Sequence, residues 1–560
     1  MQSYLQYRRL GKSVRSQLDN ASPVKETPTA ARDSDTDTPT NPDEISQHVP
    51  RSNQSPLART ASWGSSRTAL AYSIAGIDVQ KQSESPDQPA HLFIVGWDGP
   101  NDPQNPRNHS VASRLTATLL VSALGWIVGA ATSINSGVLP QNTEAFHVSD
   151  VVGSLVTGMY LLGFAAGSLV SGPLSEILGR NAVYVSSLTL FMIFIMGIFG
   201  CPPLTCAGGT IADLWNPLEK TLYFPMYAVL SSSGPVLGPA VASYMGQTGV
   251  LSWRWTSWII LIGSGAILVL IILFQPETYG PLLLKWKGKH LRKMTGDPRF
   301  RSEMDMEKIA LFSRIGGAMK RQFLITIHEP IILLISLYMT VLYIVLFTFF
   351  DGYAFIFTDM HGLSQGLTNI VWVAMYVGIM LSGFLLPFVY RGTKKNFTQA
   401  AEAANGADPA VDPRALDNVH TQPEIRLWFA MFGAPFIPIS LFWMGWTDFP
   451  SISVWSPIIA SSAFGLGTIC VFISSYMYVI DSYGIYAASA LGFMTVSRYC
   501  AAGGMTIVGI PFYRNMGVHW TLTILGCISA IMVPVPYVFY RFGPAIRSWS
   551  RYAITEVVKV

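Results

Sequence analysis

The sequence predicts an all-α membrane protein built from many spanning helices, and three observations lead there. Half of the 560 residues are hydrophobic and only 12% are charged, against about a quarter in an ordinary soluble domain. The apolar residues gather in runs of about 20, the length that crosses the hydrocarbon core of a bilayer. Lys and Arg crowd into some of the connections between those runs and are missing from others, as expected when one set of connections faces the cytoplasm.

Residues 1–112 are rich in Ser, Thr, Asp, Gln and Pro. Such a segment buries too little apolar surface to offset its ordering entropy, so a disordered cytoplasmic tail is expected. It lacks an early apolar h-region, so no cleaved signal peptide is expected. Trp97-Asp98-Gly99-Pro100-Asn101-Asp102-Pro103 reads as turns just before the membrane.

Apolar runs then follow near 114–138, 151–171, 182–200, 222–246, 255–275, 329–350, 367–390, 426–446, 453–478, 485–511 and 517–540, eleven in all. They divide into an N-terminal bundle, 113–276, and a C-terminal bundle, 329–545, separated by a basic central loop, 277–328, and followed by a short tail, 546–560. A second polar connection covers 391–425. The positive-inside rule puts Arg180, the central loop, Arg391, Lys394, Lys395, Arg541 and Arg547 in the cytoplasm, with both termini. The connections 139–150, 351–366 and 447–452 contain no Lys or Arg and should face outward. One stretch resists this assignment. Arg180 and Lys220 both look cytoplasmic, so an even number of crossings must separate them. The 36 residues from Asn181 to Asn216 barely hold two minimal spans, and 201–211 is too short and too broken by Pro202 and Pro203 to span alone.

Two motifs carry mechanical meaning. Gly172-Pro173-Leu174-Ser175-Glu176-Ile177-Leu178-Gly179-Arg180 joins two spans. Gly172 lets helix ends approach, Gly179 permits a tight turn, and Glu176 and Arg180 place opposite charges at a helix end, ready to bridge to a neighbour. In Ser231-Ser232-Ser233-Gly234-Pro235-Val236-Leu237-Gly238-Pro239 the prolines remove backbone hydrogen bonds and should kink the helix. Gly234 and Gly238 form a small-residue face for close packing.

These strings resemble the major facilitator superfamily. The 172–180 pattern is similar to its signature loop between spans 2 and 3, and the Gly-Pro pairs to the antiporter signature of its fifth helix. Asp102-Pro103-Gln104-Asn105-Pro106-Arg107-Asn108, Trp253-Arg254-Trp255, Pro276-Glu277-Thr278-Tyr279 and Ile480-Asp481-Ser482-Tyr483-Gly484 narrow the resemblance to the fungal drug:proton antiporters with twelve spans. It covers about 98–545 and implies two six-helix halves around a central cavity that opens alternately to each side, with export of drugs, toxins or polyamines driven by protons. It also exposes a defect. The fourth helix looks truncated, short by roughly a span, and no residue matches the membrane-embedded arginine that the family carries there. A misplaced intron boundary, a degenerate transporter, or a shortened helix that still works would each produce this.

Ionisable residues inside the membrane are scarce, and each is a candidate for contact with substrate or proton. Arg498 lies midway along its run and needs a carboxylate, a carbonyl or an anionic substrate. Asp481 sits at a helix end, and Asp351 at the outer end of the 329–350 run, where a solvated loop is expected. Asn135, with Thr132, Ser133 and Ser136, gives the first span its polar outer half. Tyr376, with Tyr160, Tyr343, Trp372, Tyr476 and Tyr478, is a candidate to line a cavity or an interfacial belt. The five cysteines lie in or beside apolar runs with no metal-ligand spacing and read as small buried residues. No Walker-type loop, His-rich cluster or Ser/His/Asp arrangement occurs. The expectation is therefore no enzyme, no cofactor and no nucleic-acid partner, but a monomeric plasma-membrane transporter whose partners are the bilayer, a small-molecule substrate and protons. If the fourth helix is lost, a scaffold or sensor that no longer transports takes its place.

Overall fold

A computed structural model describes residues 1–21, 74–81, 91–194, 197–248, 252–306, 311–405, 422–484 and 487–550. Among these, helices dominate. In the N-terminal half the membrane elements are α2 (Val111–Ser133), prolonged by a 3-10 turn and α3 (Leu139–Phe146), then α4 (Asp150–Leu178), α5 (Arg180–Phe194), α6 (Gly197–Leu214), α7 (Lys220–Thr248) and α8 (Trp255–Phe274). In the C-terminal half they are α12 (Pro330–Tyr353), prolonged by a π-helical turn to Met360; α13 (Gln365–Ile370), α14 (Trp372–Leu381) and α15 (Leu386–Asn405) in one line; α16 (Trp428–Gly433) with α17 (Phe436–Thr447); α18 (Trp455–Tyr483); α19 (Ala487–Met532); and α20 (Pro534–Ser548). Gly517, at φ 74°, breaks α19 into two limbs, and the second limb runs on into α20. Each half thus contributes six passes.

Local chemistry sets the helix ends. Ser110, Ser149 and Ser364 each accept a hydrogen bond from the backbone N–H three residues on, the usual N-cap. Pro330 occupies the first turn of α12, where its missing N–H costs nothing. The lipid-facing sides stay apolar: Trp258, Ile262, Val269 and Phe274 of α8 and Leu333 and Leu337 of α12 are all exposed, a surface that only acyl chains cover without penalty.

The stretch after Arg180 holds two helices, not the single run expected at 182–200. Helices α5 and α6 form an antiparallel hairpin. The Arg180 guanidinium pairs with Asp213 at 3.2 Å, and the Tyr184 and Thr210 hydroxyls meet at 2.6 Å. Residues 201–211, too short and too broken to span alone, join their neighbours in one helix, Gly197–Leu214, despite Pro202 and Pro203. The even number of crossings required by the charges is met by 15 and 18 residues, about 22 and 27 Å of helix against about 30 Å of hydrocarbon. The hairpin fits because α4 offers Gly163 and Gly167, where any Cβ would crowd the backbone at Gly197 and Ile198. Eight helical runs pass a strict length-and-hydropathy test for spanning. The hairpin helices are too short or too broken by proline to pass it, α7 is diluted by Ser, Gly and Pro, and the run 489–548 counts once though Gly517 splits it.

Three further expectations need correction. The 1–112 tail is ordered in part. Helix α1 (Gln2–Ala21) and strands β1 (Ile77–Lys81) and β2 (His91–Val95) lie in it, while 22–73 and 82–90 fall outside the described residues. The basic central loop likewise holds α9 (Gly280–Thr295), β3 (Phe300–Arg301), α10 (Glu303–Met306) and α11 (Leu311–His328). Residues 7–104 and 283–307 make a small compact unit. In it β2 pairs antiparallel with β1 and parallel with β3, over a core of Val14, Ile74, Phe93, Val95, Leu291 and Phe300. The tail reading failed because these apolar residues come from segments far apart in sequence. Finally, Cys500 and Cys527 are exposed on helix surfaces, whereas Cys201, Cys206 and Cys470 are buried as expected.

Gly179 joins α4 to α5 with φ 93° and ψ 161°, a combination that L side chains adopt only under strain. A Cβ there would also overlap the Glu277 carboxylate and Leu282. Gly179→Val is expected to lose about 1–3 kcal/mol of stability, read as a lowered melting temperature in detergent. Gly383→Ala, with open space around it, should melt like the parent. A pH effect is expected in the connection after α17. Asp448 is fully buried with His361 Nε2 at 3.3 Å, and burial pushes its carboxyl up to about 6 although His361 opposes the shift. Between the usual carboxylate range and pH 6 the folded protein therefore holds a proton that the unfolded chain releases. Stability should fall as pH rises through that window and level off above it. Asp448→Asn should flatten the decline in melting temperature between pH 4 and 6; an unchanged slope assigns it elsewhere.

Candidate substrate cavity

The two halves enclose a cavity of about 1050 Å³, its mouth included. Helices α2, α6 and α7 line one side and α12, α14, α18 and α19 the other. The wall is largely apolar and aromatic, with Val236, Leu342, Phe347, Ile469 and Phe472 among its residues. Polar groups are few: Thr132 on α2, Ser231 and Ser232 on α7, Thr468 on α18 and several tyrosines. An apolar pocket with a few convergent polar groups is the usual form of a small-molecule site.

Among the described residues, Arg498 is the one ionised side chain in this wall. It is 2% exposed. Its guanidinium carbon lies 4.8 Å from the Tyr343 ring centre, 4.9 Å from Tyr499, 5.0 Å from Tyr476 and 5.4 Å from Phe472, inside the range of cation–π attraction. Its Nε and one terminal nitrogen are buried without a hydrogen-bond partner among the described residues. The structure thus places Arg498, Tyr343, Tyr476 and Thr132 at the cavity. It does not place Asn135 or Tyr376 there. Asn135 lies in the 3-10 turn beyond the end of α2. Tyr376 follows Met375, which lines the cavity, and one residue turns the helix by about 100°. Tyr160, Trp372 and Tyr478 also lie outside the wall; the Trp372 ring stacks on Tyr353 at 4.2 Å.

Contacts between the halves lie beyond the cavity lining toward both ends. At the end rich in basic residues, Asp481 of α18 receives Lys220 of α7 at 3.3 Å and Arg426, just before α16, at 2.7 Å. Arg426 also donates to the Pro217 carbonyl at 2.7 Å. Asp481 is therefore held by two cations from the two halves. At the opposite end Gln141 and Gln365 exchange hydrogen bonds at 2.9 and 3.1 Å, and Gln365 donates to the Gly137 carbonyl at 2.8 Å. Asp150 and Arg514 make an exposed ion pair beside them. Between the ends, α4 and α19 meet through Gly158 and Gly503.

The 172–180 motif sits at the basic end. The partners of Arg180 are Asp213 and the Ser175 hydroxyl, at 3.2 and 2.5 Å. Glu176 shares its neighbourhood with Arg180, Arg314 and Arg321. Sequence reasoning missed Asp213, which lies 33 residues away and becomes a partner only once the hairpin folds. The Pro276-Glu277-Thr278-Tyr279 string also gave no sign of what Glu277 holds. The Glu277 carboxylate accepts from the backbone N–H groups of Arg180 at 2.9 Å and Asn181 at 3.2 Å, and from those of Thr278 and Tyr279 at 3.0 Å. It anchors the positive end of α5. Burial raises its carboxyl and these donors lower it. Helix α7 passes through Pro235 and Pro239 as one element. Gly234 meets the Trp126 carbonyl, Gly238 that of Ala130, and Ser133 donates to the Pro235 carbonyl at 2.6 Å. The small face thus locks α7 to α2 while Pro235 also touches the cavity. Asp351, expected in a solvated loop, is part of α12. It packs against Gly509 of α19, and one of its oxygens is buried without a partner, as is the Tyr513 hydroxyl.

Comparison with known proteins agrees with this architecture. The profile of the Major Facilitator Superfamily matches residues 121–506. The MFS-type transporter kojT of Aspergillus flavus is 44% identical over 498 residues, 85% of this chain and 86% of its own length. The uncharacterized transporter mfs2 of Schizosaccharomyces pombe is 36% identical over 480 residues, 82% and 84% of the two chains. The ascochitine biosynthesis cluster MFS transporter of Didymella fabae is 31% identical over 481 residues, 82% and 89%. Among solved structures, the proton:xylose symporter XylE bound to 6-bromo-6-deoxy-D-glucose superimposes with a TM-score of 0.54 over 78% of this chain and 96% of its own, at 14% identity, which speaks to fold alone. Twelve helical passes in two halves around a central cavity, with a family profile over most of their length, make this chain a multi-pass membrane transporter of the major facilitator superfamily.

Proposed function

We propose that the chain is a proton-coupled exporter of small organic compounds of the drug:proton antiporter type, working by alternating access as a monomer in the plasma membrane, with the basic end and both termini in the cytoplasm. The observation that carries this is the cavity between the halves, with contacts toward each end that link one half to the other. A relative named for a biosynthesis cluster favours export of a fungal product over import of a nutrient. Polyamines are set aside, because the one charge in the cavity wall is a cation. The scaffold alternative rests on a truncated fourth helix; Gly197–Leu214 forms a continuous helix there, which supports transport.

Asp351 is the group best suited to carry the proton. It is an acid within a spanning helix, with the Tyr513 hydroxyl as its titratable neighbour and no described cation paired to it. Such intramembrane acids mark proton paths.

Expression in a drug-sensitive yeast is expected to lower the intracellular accumulation of some members of a panel of planar organic compounds, and a protonophore should abolish the effect. A panel without a single affected member removes the exporter reading. Asp351→Asn is expected to abolish accumulation driven by a proton gradient in inside-out vesicles, yet leave substrate exchange at equal pH intact. Asp481→Asn weakens the closure of the basic end and should raise the labelling rate of a cysteine placed at Gly208 by a thiol reagent added from that end. An unchanged rate would show that Asp481 does not hold it shut.

A further inference from the structure

We infer that the cavity selects compounds that carry a negative charge, with the guanidinium of Arg498 as their counterion. This deepens the proposed function, since it assumes that the cavity is the transport site. The case begins with an imbalance. Arg498 is buried, and the residues that line the cavity with it include no Asp or Glu. A buried charge is ordinarily paired, because leaving it alone in a medium of low dielectric is costly. The other buried arginines obey this rule: Arg180 has Asp213, Arg426 has Asp481 and Arg547 has Glu424.

The faces of Tyr343, Tyr476, Tyr499 and Phe472 supply part of what Arg498 lacks. A ring face attracts a cation through its quadrupole but accepts no in-plane hydrogen bond. The Tyr476 hydroxyl also shares a hydrogen bond with the guanidinium, yet Nε and one terminal nitrogen have no partner among the described residues. The guanidinium presents its donors as a planar fork, and a carboxylate or enolate matches that fork with in-plane acceptors. Around it the wall is apolar, with Leu342, Leu346 and Ile469 close by. The ligand that satisfies all of this is a small unsaturated or aromatic body bearing one acidic group. A lysine would keep the charge but lose both the fork and the stacking.

Three probes with the same ring isolate charge: 4-hydroxybenzoate, 4-hydroxybenzamide and 4-hydroxybenzamidine, which are anionic, neutral and cationic. Binding to the purified full-length chain is read by thermal stabilisation, and movement by flux in proteoliposomes under a proton gradient. The benzoate is expected to stabilise the protein most and the amidine least. Arg498→Gln should lose that preference, and Arg498→Lys should bind the benzoate about tenfold more weakly. Equal or better stabilisation by the amide or the amidine overturns the inference, as does a benzoate response that survives Arg498→Gln, or no response to any probe. If Arg498→Gln fails to fold, the ranking of the three probes on the parent decides. A purely structural arginine predicts a lower melting temperature for Arg498→Gln with no change in ranking. Charge-selective binding without flux would keep the anion site and remove the exporter reading; flux of all three probes without charge preference would do the reverse.

Discussion

An ionised side chain kept from water must find its opposite or leave the apolar region, and that constraint organises this molecule. Arg114 with Glu219, Arg180 with Asp213, Arg547 with Glu424, and Asp481 with both Lys220 and Arg426 all gather at one end of the helix assembly. Removing one member of such a buried pair costs far more than the pair itself contributes, because the survivor is left uncompensated. The pairs therefore act as rules of registry. Arg180 cannot be buried unless α6 brings Asp213 back to it, and α5 cannot start where it does unless the Glu277 carboxylate meets its first amides. The loop motif and the Pro-Glu-Thr element, far apart in sequence, are two halves of one joint.

This joint explains what could be read in advance and what could not. The charges at Arg180 and Lys220 demanded an even number of crossings, and the hairpin provides it. Hydropathy could not locate the hairpin. At 15 residues α5 falls below the length expected of a span, and Pro202 and Pro203 make the start of α6 look like a loop. The pattern of helices is otherwise close to the expected spans, with the boundary near 511–517 realised at Gly517. The small unit of residues 7–104 and 283–307 was illegible because its core draws Val14, Phe93 and Leu291 from three segments far apart in sequence, none with enough apolar surface to form a core alone.

The candidate residues divide along the same line. Arg498 was legible because a charge midway along the 485–511 apolar run needs a partner or a wet cavity. Its four aromatic neighbours were not, because α12, α18 and α19 deliver them and rotation about a helix axis decides which of several tyrosines face inward. Tyr343 and Tyr476 do so; Tyr376 and Tyr478 do not. Asp481, at a helix end, could be read from the sequence as a structural anchor or as a proton carrier. Its two ion-pair partners, one from each half, fit the first role. Asp351 drew little notice at the end of a run, yet its helix continues past it and buries one oxygen.

The two closures are built from different chemistry, and that difference bears on the cycle. Opening the basic end separates Asp481 from a lysine and an arginine, so charge must be exposed or re-paired. Opening the opposite end breaks neutral amide bonds between Gln141 and Gln365 and one exposed ion pair of small value. On the proposed orientation the cytoplasmic gate is then the stiffer of the two, and the empty protein rests more readily open to the outside. An exporter must load from the cytoplasm, so something has to offset the cost of parting Asp481 from its partners. A substrate that neutralises Arg498 binds each conformation with a different affinity if the aromatic cage is tight in one and relaxed in the other, and only such a difference shifts a population. Helix α19 carries Arg498 and Tyr499, and α18 carries Phe472, Tyr476 and Asp481. The cage and the latch thus share α18, and a rotation of that helix that loosens one also draws on the other.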